Sequence, residues 1–252
     1  MPSVSPPQIF SRRRRIAGLR RALVRQSQRD AARYLIAEMV EDVLDRLEFM
    51  RLAPKRVLVI GDWTGTLALS LNGSGVMIAE RDVASLDEEQ PIPDGPFDLI
   101  VSLSSLDRVN DLPGALLHIR NALSDEGIFI GSLIAAGSLA NLRRAMIAAE
   151  PDRPAARMHP LVDNRAASAL LQRALFKRQV VDGRTLSVSY SSLDRLVSDL
   201  RDQGLANVLA KPGPALGKAA LERARQAFLS TADEHDRVLE DFEILTLTSW
   251  KN

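Results

Sequence analysis

A loop bracketed by two glycines is the first feature of the sequence that points to ligand chemistry. Gly61 and Gly65 enclose an Asp-Trp-Thr tripeptide and follow an apolar run that ends at Ile60. Glycine lets a ligand approach the backbone closely and adopts torsion angles that other residues avoid. Since ligands of parallel α/β sheets bind at the carboxyl ends of the strands, we expect this loop to border the binding site.

Three further side chains are candidates for acid–base chemistry. Asp107 could accept a proton or orient a guanidinium substrate, but an aspartate in this position more often caps a helix, here beside a solvated Arg108. His159 lies in a predicted loop, where a lone histidine acts as a general base or, more often, is a hydrogen-bonded surface residue. Tyr190 is one of two tyrosines and is predicted to border the substrate side. Asp107, His159 and Tyr190 are therefore the catalytic candidates.

The composition excludes several kinds of site. The 252 residues include no cysteine, which rules out disulfides, thiolate metal ligands and a cysteine nucleophile. The three histidines are far apart in sequence, so we predict no metal site. With 33 basic and 32 acidic residues, the chain does not have the charge of a protein that coats nucleic acid, and no DNA specificity is indicated.

Hydropathy points to a protein without a membrane-spanning segment. No apolar run approaches the roughly 20 residues that a transmembrane helix needs. The first residues also lack the apolar core of a secretory signal peptide. We therefore expect a cytoplasmic bacterial protein.

Apolar strand patterns alternate with helical patterns along most of the chain. Strand patterns cover 56–60, 76–79, 97–103 and 128–134, with shorter pieces at 179–181 and 185–190. Helical patterns cover 29–50, 66–71, 112–123, 138–149, 164–175, 193–203 and 216–229, and Asp30 and Asp111 are the expected caps of the first and third. This alternation predicts an α/β fold with a doubly wound, mostly parallel sheet covered by helices on both faces.

The N-terminal stretch is basic and almost free of acidic residues. Its arginines are Arg12, Arg13, Arg14, Arg15, Arg20, Arg21, Arg25 and Arg29. Such a stretch could be a transit peptide, an arm for an anionic partner or membrane surface, or a solvated helix that leads into the fold. We favour the solvated helix, with the anionic-partner arm second. The predicted division is a basic arm at 1–28 and one domain at 29–252, with C-terminal helical additions at 192–232 and a late strand at 241–248.

Four segments in order resemble the class I S-adenosylmethionine-dependent methyltransferases, whose sheet is Rossmann-like. These segments are 56–65, Glu80, 97–103 and 116–127. The run Val109-Asn-Asp-Leu-Pro-Gly-Ala-Leu116 is similar to the family of the biotin-pathway malonyl-carrier-protein methyltransferase. It is more similar still to alphaproteobacterial relatives of a mitochondrial complex I assembly factor, which is regarded as an arginine hydroxylase on a methyltransferase fold.

The resemblance implies an S-adenosyl-L-methionine site and the residues that form it. Gly61, Asp62, Trp63 and Gly65 would form the cofactor loop. Glu80 would accept hydrogen bonds from the ribose hydroxyls, although it could simply end a strand in solvent. Ser102 and Ser104 complete the implied cofactor set at the end of the third strand.

Three departures from the family pattern concern the same site. Trp63 stands where the family has a glycine, and Val59 stands where it has an acidic residue. The connection from Glu80 to Phe97 is too short for a helix and a strand with turns, so the sheet is expected to lack one edge strand.

Two functions follow from this resemblance. The first, which we favour, is methyl transfer from S-adenosyl-L-methionine to a small-molecule or protein acceptor. The second is a non-catalytic or weakly cofactor-binding assembly factor of the respiratory complex I type, with protein-arginine hydroxylation as a variant. No two-histidine-one-carboxylate iron motif is visible to support that hydroxylation from the residues.

Overall fold

One mixed sheet organises the computed structural model, which describes residues 7–73, 75–152 and 154–252. The strands in this part of the chain are β1 (Arg56–Ile60), β2 (Met77–Arg81), β3 (Phe97–Leu103), β4 (Leu123–Ile134), β5 (Lys177–Tyr190) and β6 (Val238–Trp250). Their order is β2-β1-β3-β4-β6-β5, with β1 to β4 parallel and β6 antiparallel to both β4 and β5. The predicted doubly wound, mostly parallel sheet is confirmed. The strand β2 forms its edge, as the short connection to Phe97 predicts.

Helices cover the two faces of the sheet. They are α1 (Arg12–Arg25), α2 (Tyr34–Phe49), α3 (Thr66–Leu71), α4 (Leu112–Ala122), α5 (Ala140–Ala149), α6 (Asn164–Arg173), α7 (Leu193–Asp202) and α8 (Lys218–Leu229). In the described residues, none of these helices combines the length and apolarity needed to cross a bilayer.

The central strands are mainly apolar because they are buried on both sides. In β1, Val57 and Val59 point into one apolar cluster, while Leu58 and Ile60 point into the other. This is the period of two that a strand imposes on its side chains. Helices α2, α5, α7 and α8 pack on the first face, and α4 and α6 pack on the second.

One of the two predicted helix caps is present in the structure, and the other is not. Asp111 caps α4, since its carboxylate accepts the backbone N–H of Gly114 at 2.9 Å, as predicted. The helix predicted from residue 29 begins at Tyr34, however, and Asp30 does not cap it. The amide of Gln26 donates to the carbonyl oxygens of Ala32 and Asp202, which holds the preceding residues in a turn instead.

The C-terminal strands are longer than their apolar patterns. The pieces predicted at 179–181 and 185–190 form the single strand β5, because Asp182, Gly183 and Arg184 also pair with β6. This strand lies at the edge of the sheet, where polar side chains reach solvent, so the hydrophobic pattern underestimates its length. The late strand predicted at 241–248 returns to the sheet as β6.

Phe242 on β6 offers a direct test of this architecture. Its ring is fully buried and lies 5.9 Å from the ring of Tyr34. We expect Phe242→Ala to lower the free energy of unfolding by about 3–5 kcal/mol, since it leaves a cavity in the core. Leu239 lies on the same strand but is exposed, so Leu239→Ala should change that free energy by less than ~0.5 kcal/mol. Urea denaturation followed by circular dichroism measures both, and equal losses would contradict the described burial.

Candidate functional site

A cleft lies at the carboxyl ends of β1 and β3, where the loop of two glycines is predicted to bind a ligand. It is lined by Gly61 and Trp63 from the loop, by Ser104 and Arg108 after β3, and by Arg15 from α1. Its cavity volume is about 50 Å³. The strand order reverses here, which is the usual position of a ligand site in an open α/β sheet.

Both loop glycines adopt the left-handed backbone conformation. Gly61 has φ +86°, and a Cβ at this position would collide with the carbonyl oxygen of Leu103. Gly65 has φ +69° and directly precedes α3. Gly61 is therefore required for the chain to pass close to the end of β3, independently of any ligand.

Asp62 organises this loop from within. Its carboxylate accepts the backbone N–H groups of Thr64, Gly65 and Leu67 at 2.8–3.1 Å. These donors belong to the loop and to the first turn of α3, where free N–H groups otherwise attract anions. Asp62 thus fixes the loop conformation without lining the cleft. It holds the loop in a chain that has Val59 where a strand-borne carboxylate is expected.

The other three residues of the implied cofactor set have unused polar groups. Glu80 is exposed at the end of β2, and its carboxylate lies beside Gly65 in a neighbouring groove. The hydroxyl oxygens of Ser102 and Ser104 are buried without a hydrogen-bond partner among the described residues. Ser104 lines the cleft and has φ +44°. A buried hydroxyl without a partner at a strained residue is typical of a site that a ligand or water completes.

Helix α1 closes the cleft through a buried ion pair. The guanidinium of Arg15 lies 2.7 Å from the carboxylate of Glu88, and both side chains are at most 5% exposed. Arg15 also donates to the carbonyl oxygen of Ser105, whose hydroxyl donates to Glu88. Within the segment expected to be a solvated lead-in, α1 therefore packs on the domain, whereas residues 1–6 of that segment lie outside the described residues. Arg15, Gly18 and Ala22 form the buried face of α1. Their spacing of three and four residues is the sequence signal that indicates a packed helix here.

Trp63 separates the cleft from a wider groove beside α2. The indole lines both spaces, and the groove continues along Ile36, Val40 and Asp45. The ring is half-buried against the core. Trp63 therefore contributes to the walls of both spaces.

Asp107 and Arg108 lie in a short 3-10 turn after β3. Arg108 is largely buried and donates to the carbonyl oxygens of Gly204 and Ser104, so the expectation of a solvated arginine is wrong. Asp107 is also buried and does not cap α4, because Asp111 does so. Asp107 lines a second cavity of about 300 Å³ beside Ile134, at the end of β4.

His159 is buried and hydrogen-bonded. Its Nε2 accepts the backbone N–H of Val208 at 3.0 Å, and Phe10 packs edge-on against the ring. Burial, and then the positive charge of Arg108, lower the pKa of His159 to about 4. The imidazole is therefore neutral near pH 7 and holds the segment around Val208 against the domain.

Tyr190 lies in the apolar core instead of on the substrate side. It is 1% exposed, and its hydroxyl is hydrogen-bonded to that of Tyr34. Burial raises the pKa of Tyr190 and raises the pKa of Tyr34 to about 12, so both phenols are neutral. Neither tyrosine lines the cleft or the cavity beside Asp107.

Most of this chain is similar in sequence to known proteins. The sequence profile of the methyltransferase domain matches residues 27–208. The mitochondrial arginine-hydroxylase NDUFAF5 of Rattus norvegicus is 28% identical over 241 residues, which cover 86% of this chain and 70% of that protein. The Homo sapiens protein is 29% identical over 184 residues, covering 71% of this chain and 53% of its own length. The malonyl-[acyl-carrier protein] O-methyltransferase of Halorhodospira halophila is 26% identical, covering 92% and 88%.

Solved structures share the fold at low sequence identity. The YcgJ protein of Bacillus subtilis has a TM-score of 0.50 and 14% identity, covering 86% of this chain and 99% of that one. The [4+2]-cyclase SpnF also has a TM-score of 0.50, with 13% identity and coverage of 97% and 98%. Since one of these folds belongs to a cyclase, the fold alone does not determine the reaction.

The depressed pKa of His159 predicts a pH dependence of stability. Between about pH 6.5 and pH 4 the unfolded chain binds a proton that the folded chain does not, so the folded state loses stability as the pH falls through this window. The loss should reach on the order of 3 kcal/mol. Urea unfolding at pH 7 and pH 4.5 should show this loss in the wild type and a smaller loss in His159→Gln. His235→Gln removes an exposed imidazole and should keep the wild-type loss. Equal losses in all three proteins would contradict the prediction.

Proposed function

The chain belongs to the methyltransferase domain family, and from this premise we propose that it transfers a methyl group to an acceptor bound at the carboxyl ends of β3 and β4. S-adenosyl-L-methionine is the cofactor of this family, and its sulfonium supplies an activated methyl group. The relatives named above include hydroxylases as well as methyltransferases. The chain spans 70% of the length of the Rattus norvegicus NDUFAF5 and 53% of that of the Homo sapiens protein.

The position of the turn at Leu106–Arg108 carries this proposal. Arg108 faces the cleft beside Gly61, while Asp107 faces the cavity beside Ile134. Two consecutive residues thus line two separate spaces at the same edge of the sheet. A transfer between two bound molecules requires adjoining sites, whose reacting atoms can meet at roughly 3–3.5 Å. Two residues adjacent in sequence bring the cleft and the cavity close to each other at this edge, which supports the proposal.

The polar groups around the cleft fit the cofactor. The Glu80 carboxylate has the acceptor capacity for two ribose hydroxyls. Ser104 would place its unpartnered hydroxyl against the bound molecule, and Gly61 and Gly65 would present the loop backbone to it. These residues, together with Ser102 near the end of β3, are the set that we propose to hold S-adenosyl-L-methionine.

The space in the cleft is smaller than the cofactor needs. Ligand pockets usually measure roughly 300–1,000 Å³, whereas this cleft measures about 50 Å³. Binding therefore requires the Trp63 indole or the roof formed by α1 to move. Rotation of Trp63 would join the cleft to the groove along α2 without breaking the Arg15–Glu88 ion pair.

The same small volume favours a second candidate function. A chain whose cleft stays closed by Trp63 and Arg15 would act as a non-catalytic or weakly cofactor-binding interaction protein. The NDUFAF5 relatives are named as arginine hydroxylases, so chains similar to this one are not confined to methyl transfer. Titration with a cofactor product separates the two functions.

We expect calorimetric titration with S-adenosylhomocysteine to show binding that depends on Trp63 and Glu80. Trp63→Gly should tighten binding about tenfold or more, because it removes the ring that fills the space. Glu80→Gln should weaken binding about tenfold to a hundredfold, since a charged hydrogen bond contributes roughly 1.5–3 kcal/mol.

Trp250→Phe is the matched control. Trp250 packs against Arg178 at the far end of β6, so its substitution should leave the affinity unchanged. If neither the wild type nor a folded Trp63→Gly protein binds at millimolar ligand, the methyltransferase proposal is overturned and the interaction protein remains.

We also propose that the outward face of α1 contacts an anionic partner. Arg13, Arg20 and Arg21 are exposed there, beside the exposed Leu23 and Val24. The first turn of the helix has no acidic residue to offset this charge. A cluster of exposed guanidinium groups attracts anionic surfaces.

Retention on immobilised heparin, used as a polyanion probe, tests this surface. Reversing the charge of Arg13, Arg20 and Arg21 to Glu should lower the salt concentration of elution markedly. Reversing three exposed arginines elsewhere, Arg143, Arg165 and Arg173, makes the same change in net charge and should lower it less. Equal shifts for the two variants would show that net charge, and not this face, governs retention.

A further inference from the structure

We infer that the cavity beside Asp107 binds a primary amine on an aliphatic stem. The inference rests on the proposed function, because the nitrogen of such an amine would be the methyl acceptor. Once the ammonium group has released one proton to water, the nitrogen lone pair would form the new N–CH₃ bond as the S–CH₃ bond of the sulfonium breaks and leaves a neutral thioether. The inference adds a substrate class and a recognising residue to that function.

The walls of this cavity are mainly aliphatic. Leu139, Leu142 and Met146 line it from α5 and the residue before it, while Val197 and Leu200 line it from α7. Its volume of about 300 Å³ lies at the small end of ligand pockets. The cavity therefore suits a short apolar stem, which gains affinity by leaving water.

Asp107 is the polar feature of the cavity that lacks a satisfactory partner. Its side chain is 5% exposed, and its hydrogen bond in the described structure is a long one of 3.4 Å from Arg108 Nε to Oδ1. Oδ2 accepts no hydrogen bond from the described residues, and Asp107 is one of the residues that line the cavity. A buried carboxylate needs several donors, and an ammonium group supplies up to three.

The neighbouring charged groups are already engaged or lie nearer to solvent. Arg157 forms two hydrogen bonds of 2.8 Å with Glu150, which offsets its charge. His159 is neutral near pH 7 because burial depresses its pKa. Arg201 is exposed, so its charge is screened by solvent. Arg108 directs its two terminal nitrogens to carbonyl oxygens on the cleft side, which leaves only its Nε, at 3.4 Å, to pair with Asp107.

The cavity therefore combines mainly aliphatic walls with one carboxylate, that of Asp107, which accepts hydrogen bonds. A hydrocarbon stem would fill the apolar part, and an ammonium head would form a charge-assisted hydrogen bond with Asp107. A carboxylate head of the same size would be repelled by Asp107. An alcohol would donate one neutral hydrogen bond and so bind less tightly than the amine.

Three ligands with the same six-carbon stem test the inference in the full-length protein by calorimetric titration. We expect n-hexylamine to bind at least about tenfold more tightly than n-hexanol, and n-hexanoate to bind most weakly. Asp107→Asn should lower the affinity for hexylamine about tenfold or more while changing that for hexanol little. Leu142→Trp should weaken all ligands that bind, because the indole fills the cavity.

Asp125→Asn is the matched control, since it removes a carboxylate that is 87% exposed on the side chain and remote from the cavity. Unfolding curves of each variant verify that it is folded. Tighter binding of hexanoate than of hexylamine, or an amine preference that persists in Asp107→Asn, would overturn the inference.

Separate titrations distinguish this inference from the proposed function. If S-adenosylhomocysteine binds and hexylamine does not, the methyltransferase proposal stands and the amine site is overturned. If hexylamine binds through Asp107 and S-adenosylhomocysteine does not, the amine site stands as a binding site and methyl transfer is overturned.

Discussion

A buried ion pair determines how the functional edge of this protein is closed. Arg15 and Glu88 meet at 2.7 Å where almost no water reaches them, and Ser105 bonds to both. Separating such a pair leaves an uncompensated charge inside the protein, at a cost of about 3–5 kcal/mol. The position of α1, the small volume of the cleft and the enclosure of Ser104 all depend on this contact. Access for a ligand is therefore easier through Trp63, which no ion pair holds in place.

The sequence predicts the centre of the sheet well because local pattern and burial agree there. The apolar runs at β1 and β3 have the predicted bounds, since both faces of these strands are covered. The predictions fail where distant residues decide the outcome. Glu88 lies 73 residues from Arg15, so a basic segment that reads as solvated supplies a buried partner instead. The start of α2 depends on Gln26 contacting Asp202, which local propensity does not encode.

The candidate site shows the same limit in its chemistry. Residue types in the loop predict that Gly61 allows close approach, and the structure shows that the approaching group includes the carbonyl of Leu103. Asp107 and His159 look equivalent in sequence, as single titratable residues near turns. Only packing distinguishes them, because the Nε2 of His159 accepts a hydrogen bond from Val208, whereas one carboxylate oxygen of Asp107 accepts no hydrogen bond from the described residues. The position of Tyr190 in the core is similarly not encoded locally, because its hydroxyl is hydrogen-bonded to that of Tyr34, 156 residues away in the sequence.

The contacts of α1 have a consequence for the order in which the chain assembles. A ribosome releases this helix before any of its partners, since Glu88, Ser105 and Asp202 come later in the chain, as does Leu209, which bridges to Phe10. Domains fold as their residues emerge, and contacts between remote residues form slowly. The cleft can therefore be completed only after more than 200 residues have been synthesised, when Gln203 and Gly204, which line it, become available. Until then the arginine-rich segment is exposed, and its guanidinium groups are free to meet anionic molecules in the cell before they meet the domain.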